Sequence, residues 1–98
     1  MGKHYFVYIL MNKYYSTMYI GVTNNISRRI NEHKTKTTDS FSNRYNTNIL
    51  VYYEVYPYVY DAIHREKKLK KWKRIWKEEL IRSSNPKLED LSKTLPYY

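Results

Sequence analysis

No cysteine occurs among the 98 residues, so disulfide bonds and thiolate metal sites are excluded. No apolar run approaches the length of a membrane span, and no signal-peptide core follows the N-terminus. Both absences point to a soluble, cytoplasmic protein with no membrane as partner. Acidic side chains are scarce, nine against eighteen Lys and Arg, which argues against a site where several carboxylates hold two metals. Beyond Gly2, the single glycine is Gly21. There is no P-loop, no H-E-x-x-H and no Ser-His-Asp pattern, and His4, His33 and His64 lie far apart in the chain. No internal repeat or linker is visible. The length suits one domain, with a core over about residues 4–83 and a C-terminal tail over 84–98.

What the chain has in quantity is aromatic area and positive charge. Thirteen tyrosines, two tryptophans and two phenylalanines compensate for a short chain's small core. The net charge of +9 creates a field that concentrates polyanions. Nucleic acid is therefore the leading partner, ahead of an anionic membrane surface or a charge that only solubilises.

Tyr5 to Met11 (YFVYILM) reads as a buried strand, Met18 to Val22 as a second, and the two as an antiparallel hairpin. Thr23-Asn24-Asn25 supplies N-cap candidates for a helix from about Ile26 to Lys34. Residues 35–48 are polar and read as a long loop of the kind that often binds. Ile49 to Tyr56 (ILVYYEVY) is the clearest strand, stopped by Pro57. A long helix is expected from about Ala62 to Ile81, capped by Asp61 and ended by Asn85-Pro86. One further turn is expected within 87–92, and a loose end from Thr94 to Tyr98. This order predicts an α+β fold: a three-stranded, mostly antiparallel sheet flanked by helices.

Several residues stand out chemically. Gly21 precedes a helix N-terminus, where free N–H groups and the dipole suit a phosphate; a plain turn requirement is the competing reading. Arg29 and His33 share one helix face at the edge of the core, suited either to solvent or to phosphate. Arg28 and Glu32, also four apart, read as a surface ion pair. On the long helix Ala62, Glu66, Leu69, Lys73, Trp76 and Leu80 form one stripe, which puts the Glu66 carboxylate on the core-facing side. It is the only acid among Arg65, Lys67, Lys68, Lys70, Lys71, Lys73, Arg74 and Lys77, and needs either an ion-pair partner or a divalent cation. The basic residues, with Trp72 and Trp76 interleaved, form either a solvated face or a ridge that tracks phosphates; Lys67, Lys68, Lys70, Lys71 and Arg74 are the candidate contacts.

Together these residues resemble the GIY-YIG nuclease domain, and most closely its small stand-alone bacterial branch. Phe6-Val7-Tyr8-Ile9-Leu10 and Tyr19-Ile20-Gly21 stand where the two name-giving motifs would be. Asn24-Asn25-Ile26, Arg29, His33, Leu50 to Glu54, and Ala62 to Lys70 with Glu66 follow in order, over nearly the whole chain. The resemblance implies hydrolysis of a phosphodiester in DNA with one divalent ion, Mg²⁺ or Mn²⁺. It makes Tyr8 and Tyr19 the motif tyrosines, Arg29 the catalytic arginine, His33 its helical companion and Glu66 the metal ligand. Asn85 matches a late polar position. Phe6 replaces the first motif's glycine, and Val22 stands where some repair nucleases have a lysine. The implied role is in DNA repair or recombination. The rival readings are a non-catalytic nucleic-acid-binding module with a degenerate site and a basic assembly subunit.

Overall fold

A computed structural model describes residues 3–35 and 46–95. Three strands, β1 (Tyr5–Met11), β2 (Met18–Thr23) and β3 (Ile49–Tyr56), form one antiparallel sheet in the order β2-β1-β3. The helices are α1 (Ile26–Thr35), α2 (Val59–Lys71) and α3 (Arg74–Ser84), and a 3₁₀ turn covers Leu91–Thr94. The architecture is the α+β one expected. Most of the anticipated loop and the last three residues lie outside the described part.

The central strand β1 is apolar without alternation because both of its faces are covered. Val7, Ile9 and Met11 pack against Ala62 and Leu69 of α2 and Ile81 of α3. Phe6, Tyr8 and Leu10 pack on the other side against Ile26 and Ile30 of α1 and against Leu95. After α3 the chain as far as Leu95 is thus docked rather than trailing. Asn85 is buried; its side-chain amide donates to the Val51 and Glu89 carbonyls at 3.0 and 2.9 Å, and its Oδ1 accepts from the Glu89 N–H at 3.0 Å. The pairing of β1 with β3 slips between Ile9–Tyr52 and Leu10–Leu50, so Val51 is the extra residue of a bulge. Asn85 satisfies its carbonyl. With every polar group of its amide engaged, Asn85 is a structural tie.

The expected single helix is two. Trp72 and Lys73 are both extended (ψ 148°), and Lys73 caps α3. An unbroken helix would carry Lys73 along the stripe that faces the sheet, at the cost of burying an ammonium. The break turns Lys73 outward and brings Ile81 in, 1% exposed. The bounds of α1 follow the sequence: Asn25 Oδ1 accepts from the Arg28 N–H at 3.0 Å as an N-cap. Glu32, however, accepts from Arg29 at 3.3 Å, where spacing suggested Arg28. Helix α2 starts earlier than expected, with Asp61 inside its first turn. Among the described residues no helix is long and apolar enough to cross a membrane.

Candidate active site

The hairpin register places Tyr8 opposite Gly21 and Leu10 opposite Tyr19, so both tyrosines and the glycine share the face that α1 covers. Gly21 lies inside β2, ahead of the helix start, and its φ is not positive. Its requirement is space. A Cβ there would lie 2.5 Å from Tyr8 Oη, 2.6 Å from Tyr8 Cζ and 3.1 Å from Tyr19 Cε1. Gly21 is thus the seat over which the Tyr8 phenol lies, a reason distinct from the phosphate contact its sequence position suggested.

Arg29 and His33, one turn apart on α1, reach that phenol. Arg29 Nε donates to Tyr8 Oη at 3.3 Å, and the Tyr8 hydroxyl lies 3.4 Å from His33 Nε2. Arg29 Nη1 also donates to Glu32 Oε1 at 3.3 Å. The Tyr8, Tyr19 and His33 rings enclose one another, with centres 5.3–6.2 Å apart. The structure therefore brings four of the sequence-selected residues into one cluster, with the Arg29 side chain at its opening (30% exposed).

Burial dominates the cluster's electrostatics. It pushes the Tyr8 phenol up to about 12, although the Arg29 hydrogen bond works the other way. Tyr8 is thus protonated at neutral pH. Burial, aided by the Arg29 charge, lowers His33 to about 4, so its imidazole is neutral. Nδ1 of His33 is the one buried side-chain polar atom left without a partner among the described residues. Arg29 is held charged, raised above its ordinary range chiefly by the hydrogen bond to Tyr8.

Glu66 stands on α2, the helix that covers the other face of the sheet. Its carboxylate is mostly buried (15% exposed) and pairs with Lys70 at 2.9 Å. Lys70 lines, with Lys77 of α3 and Met18, Tyr19 and Ile20 of the edge strand β2, an open groove of about 290 Å³. Tyr19 is thus the link between the cluster and the Glu66 side. Among the described residues no three His, Cys, Asp or Glu converge as a metal cage. The donor set suits a hard cation held by one carboxylate and completed by water and substrate oxygens.

Of the basic ridge, Lys67, Lys68, Lys70 and Lys71 are exposed. Arg74 is also tied into the fold. Its Nη1 and Nη2 donate to the Ser16 and Tyr15 carbonyls at 2.9 Å each, and its Nε donates to Glu78 at 3.0 Å. It clamps a hairpin turn in which Tyr15 adopts a left-handed φ of 55°. Three of its five donors are engaged there.

The chain matches the model of the GIY-YIG catalytic domain over residues 4–79. It belongs to the GIY-YIG family. The solution NMR structure of the UPF0213 protein BH0048 from Bacillus halodurans is similar, with a TM-score of 0.57 and 26% identity, covering 93% of this chain and 96% of that one. Among curated proteins no match was found. The GIY-YIG domain is a nuclease fold whose enzymes generally use a divalent metal and act on nucleic acid.

One cluster was not foreseen from the sequence. Glu54 on β3 receives a forked Arg65 of α2 at 3.0 Å and the hydroxyls of Tyr52 and Tyr56 at 2.5 and 2.6 Å. Burial opposes its ionisation, but these hydrogen bonds prevail and hold the carboxyl below its usual range. The cluster locks α2 to the sheet. Glu54 flanked by tyrosines at two-residue spacing on one strand face was the available signal.

Proposed function

We propose that this GIY-YIG domain is a metal-dependent endonuclease that hydrolyses phosphodiester bonds in DNA, in repair or recombination. The observation that carries the reading is Arg29: a charged guanidinium, fixed on Tyr8 and Glu32, at the opening of a buried cluster. A guanidinium has five donors. Those not engaged within the cluster clamp the non-bridging oxygens of a phosphate as charge builds on them.

Tyr8 and Tyr19 orient the attacking water from the floor of the site. With Tyr8 protonated and already accepting from Arg29, its hydroxyl proton is available to the neutral His33 Nε2. His33 then acts as the relay that receives a proton as the phenol takes one from water. Glu66 would hold Mg²⁺ or Mn²⁺, and Lys70 is the cation it gives up. When bound, the ion polarises the phosphate and neutralises the leaving oxygen. The exposed Lys67, Lys68, Lys70 and Lys71 hold the backbone of the DNA.

The test incubates purified protein with branched, nicked and single-stranded DNA and with RNA, in Mg²⁺, Mn²⁺ or EDTA, beside Glu66→Gln. The expected result is strand cutting in metal only, lost in Glu66→Gln while DNA binding persists. Binding with no cutting in any metal establishes instead the non-catalytic module.

A further inference from the structure

Trp72 and Trp76 are the chain's two tryptophans, and the α2–α3 break sets them edge to face, 6.2 Å between ring centres and 87° between planes. Trp72 packs against the core, with the Arg65 guanidinium over its ring at 5.0 Å. Trp76 is 47% exposed, beside Ile75 at 59%, and the Lys73 ammonium lies 5.4 Å from its ring centre. The first tryptophan thus braces the second, which presents indole surface to solvent among cations. None of this is used by the Tyr8–Arg29 cluster.

Charge selects the occupant. Lys67, Lys68, Lys70, Lys71 and Lys73 are all exposed around the helix break. A second copy of the chain would bring its own +9 against them. A membrane surface would require a broad apolar face, and α3 carries Glu78 and Glu79 immediately after Lys77. A strand with an unpaired base offers both a π face for the indole and a phosphate for the ammonium groups. The position adjoins the candidate site: Lys77, the residue after Trp76, lines the Tyr19 groove together with Lys70.

We propose that Trp76, flanked by Lys73 and Lys77, is a stacking subsite for an unpaired base on a strand that passes through the Tyr19 groove. The proposal rests on the nucleic-acid reading above but needs no cleavage. Since both indoles lie at the subsite, tryptophan emission reports it directly. The full chain is titrated in EDTA with an oligothymidylate and with a blunt duplex of equal length. The single strand is expected to quench the emission. Trp76→Ala is expected to lose roughly tenfold in single-strand affinity, the size of one stacked base, with duplex affinity within about twofold. Trp76→Phe restores most of the loss.

Unchanged single-strand affinity in Trp76→Ala overturns the proposal, as does an equal loss on duplex. Polyglutamate of matched charge serves as the control for an acidic protein partner: quenching and Trp76 dependence equal to those of the oligothymidylate also overturn it. Failure here with Mg²⁺-dependent cutting intact removes the subsite alone, whereas quenching without cutting in any metal removes the nuclease reading alone.

Discussion

Gly21→Ala isolates the fit between β2 and the Tyr8 phenol. The backbone at Gly21 is outside the left-handed region, so alanine adds no conformational strain there. The added methyl instead meets Tyr8 Cζ at 2.6 Å, where carbon atoms rest at about 3.5–4.0 Å. The ring must retreat by about 1 Å. Its bonds to Arg29 and His33 are already 3.3 and 3.4 Å long, so the same movement carries Oη out of hydrogen-bonding range. Overpacking costs about 1–3 kcal/mol and the lost bond to a charged group about 1 more, together about 2–4 kcal/mol. In a domain of this size that lowers Tm by roughly 10–20 °C. Circular-dichroism melts of Gly21→Ala, Tyr8→Phe and the double variant form a cycle. Tyr8→Phe removes the nearest atom and both anchors, so Gly21→Ala costs about 1 kcal/mol less in that background. A single variant that melts like the wild type, or equal losses in the two backgrounds, would refute the reasoning.

His33 titrates near 4 in the folded chain against about 6.5 when unfolded, so the unfolded state takes up its proton first as pH falls. Stability is therefore lost between about pH 6.5 and 4, by about 3 kcal/mol, and urea midpoints of His33→Gln should vary less in that window; an equal slope refutes the assignment. Arg65→Met strands the Glu54 carboxylate and costs about 3 kcal/mol at neutral pH, the low end for a broken pair because both groups are partly exposed. Glu54, held low in the wild type, becomes protonated more readily in that variant, so its deficit shrinks in acid; a deficit independent of pH counts against the mechanism. Asn85→Ala orphans the Val51 and Glu89 backbone groups and lowers stability by about 2–4 kcal/mol, whereas a solvent-facing residue would cost under about 0.5 in the same melt. Neutralising Lys67, Lys68, Lys70 and Lys71 together should flatten the salt dependence of DNA affinity, and an unchanged slope shows a solvated face.

The strands were legible because their aromatic and β-branched runs end abruptly at Asn12, Thr23 and Pro57, and the fold class follows from their order. Arg29 and His33 could be paired from spacing alone, since one helical turn separates them. That Tyr8 and Tyr19 face them depends on hairpin register, which the turn at Asn12–Thr17 fixes through Asn12 Oδ1 accepting from the Ser16 and Thr17 N–H groups. The helix break was not legible. No glycine or proline marks it, and periodicity runs smoothly across Trp72–Lys73; only the cost of turning Lys73 inward forces it. Gly21 was conspicuous for a reason the chain could not state, because the atom that excludes a side chain belongs to another strand. Arg74 looked like one more cation in a ridge, and only the nearby turn carbonyls distinguish it from its neighbours.

Glu54 also bears on how this chain avoids its own kind. Among the described residues β3 is an edge strand, eight residues long and rich in tyrosine and valine, the profile of a segment that adds onto a neighbouring molecule's sheet. A half-buried acid in the middle of such an edge is a gatekeeper: its charge is met by Arg65, Tyr52 and Tyr56 of its own chain, and a strand laid alongside would bury that charge further without supplying another cation. Pro57 blocks extension at the far end. Losing the charge at position 54 would then matter twice, once for the clamp on α2 and once for the time a partly unfolded chain spends in solution before it aggregates.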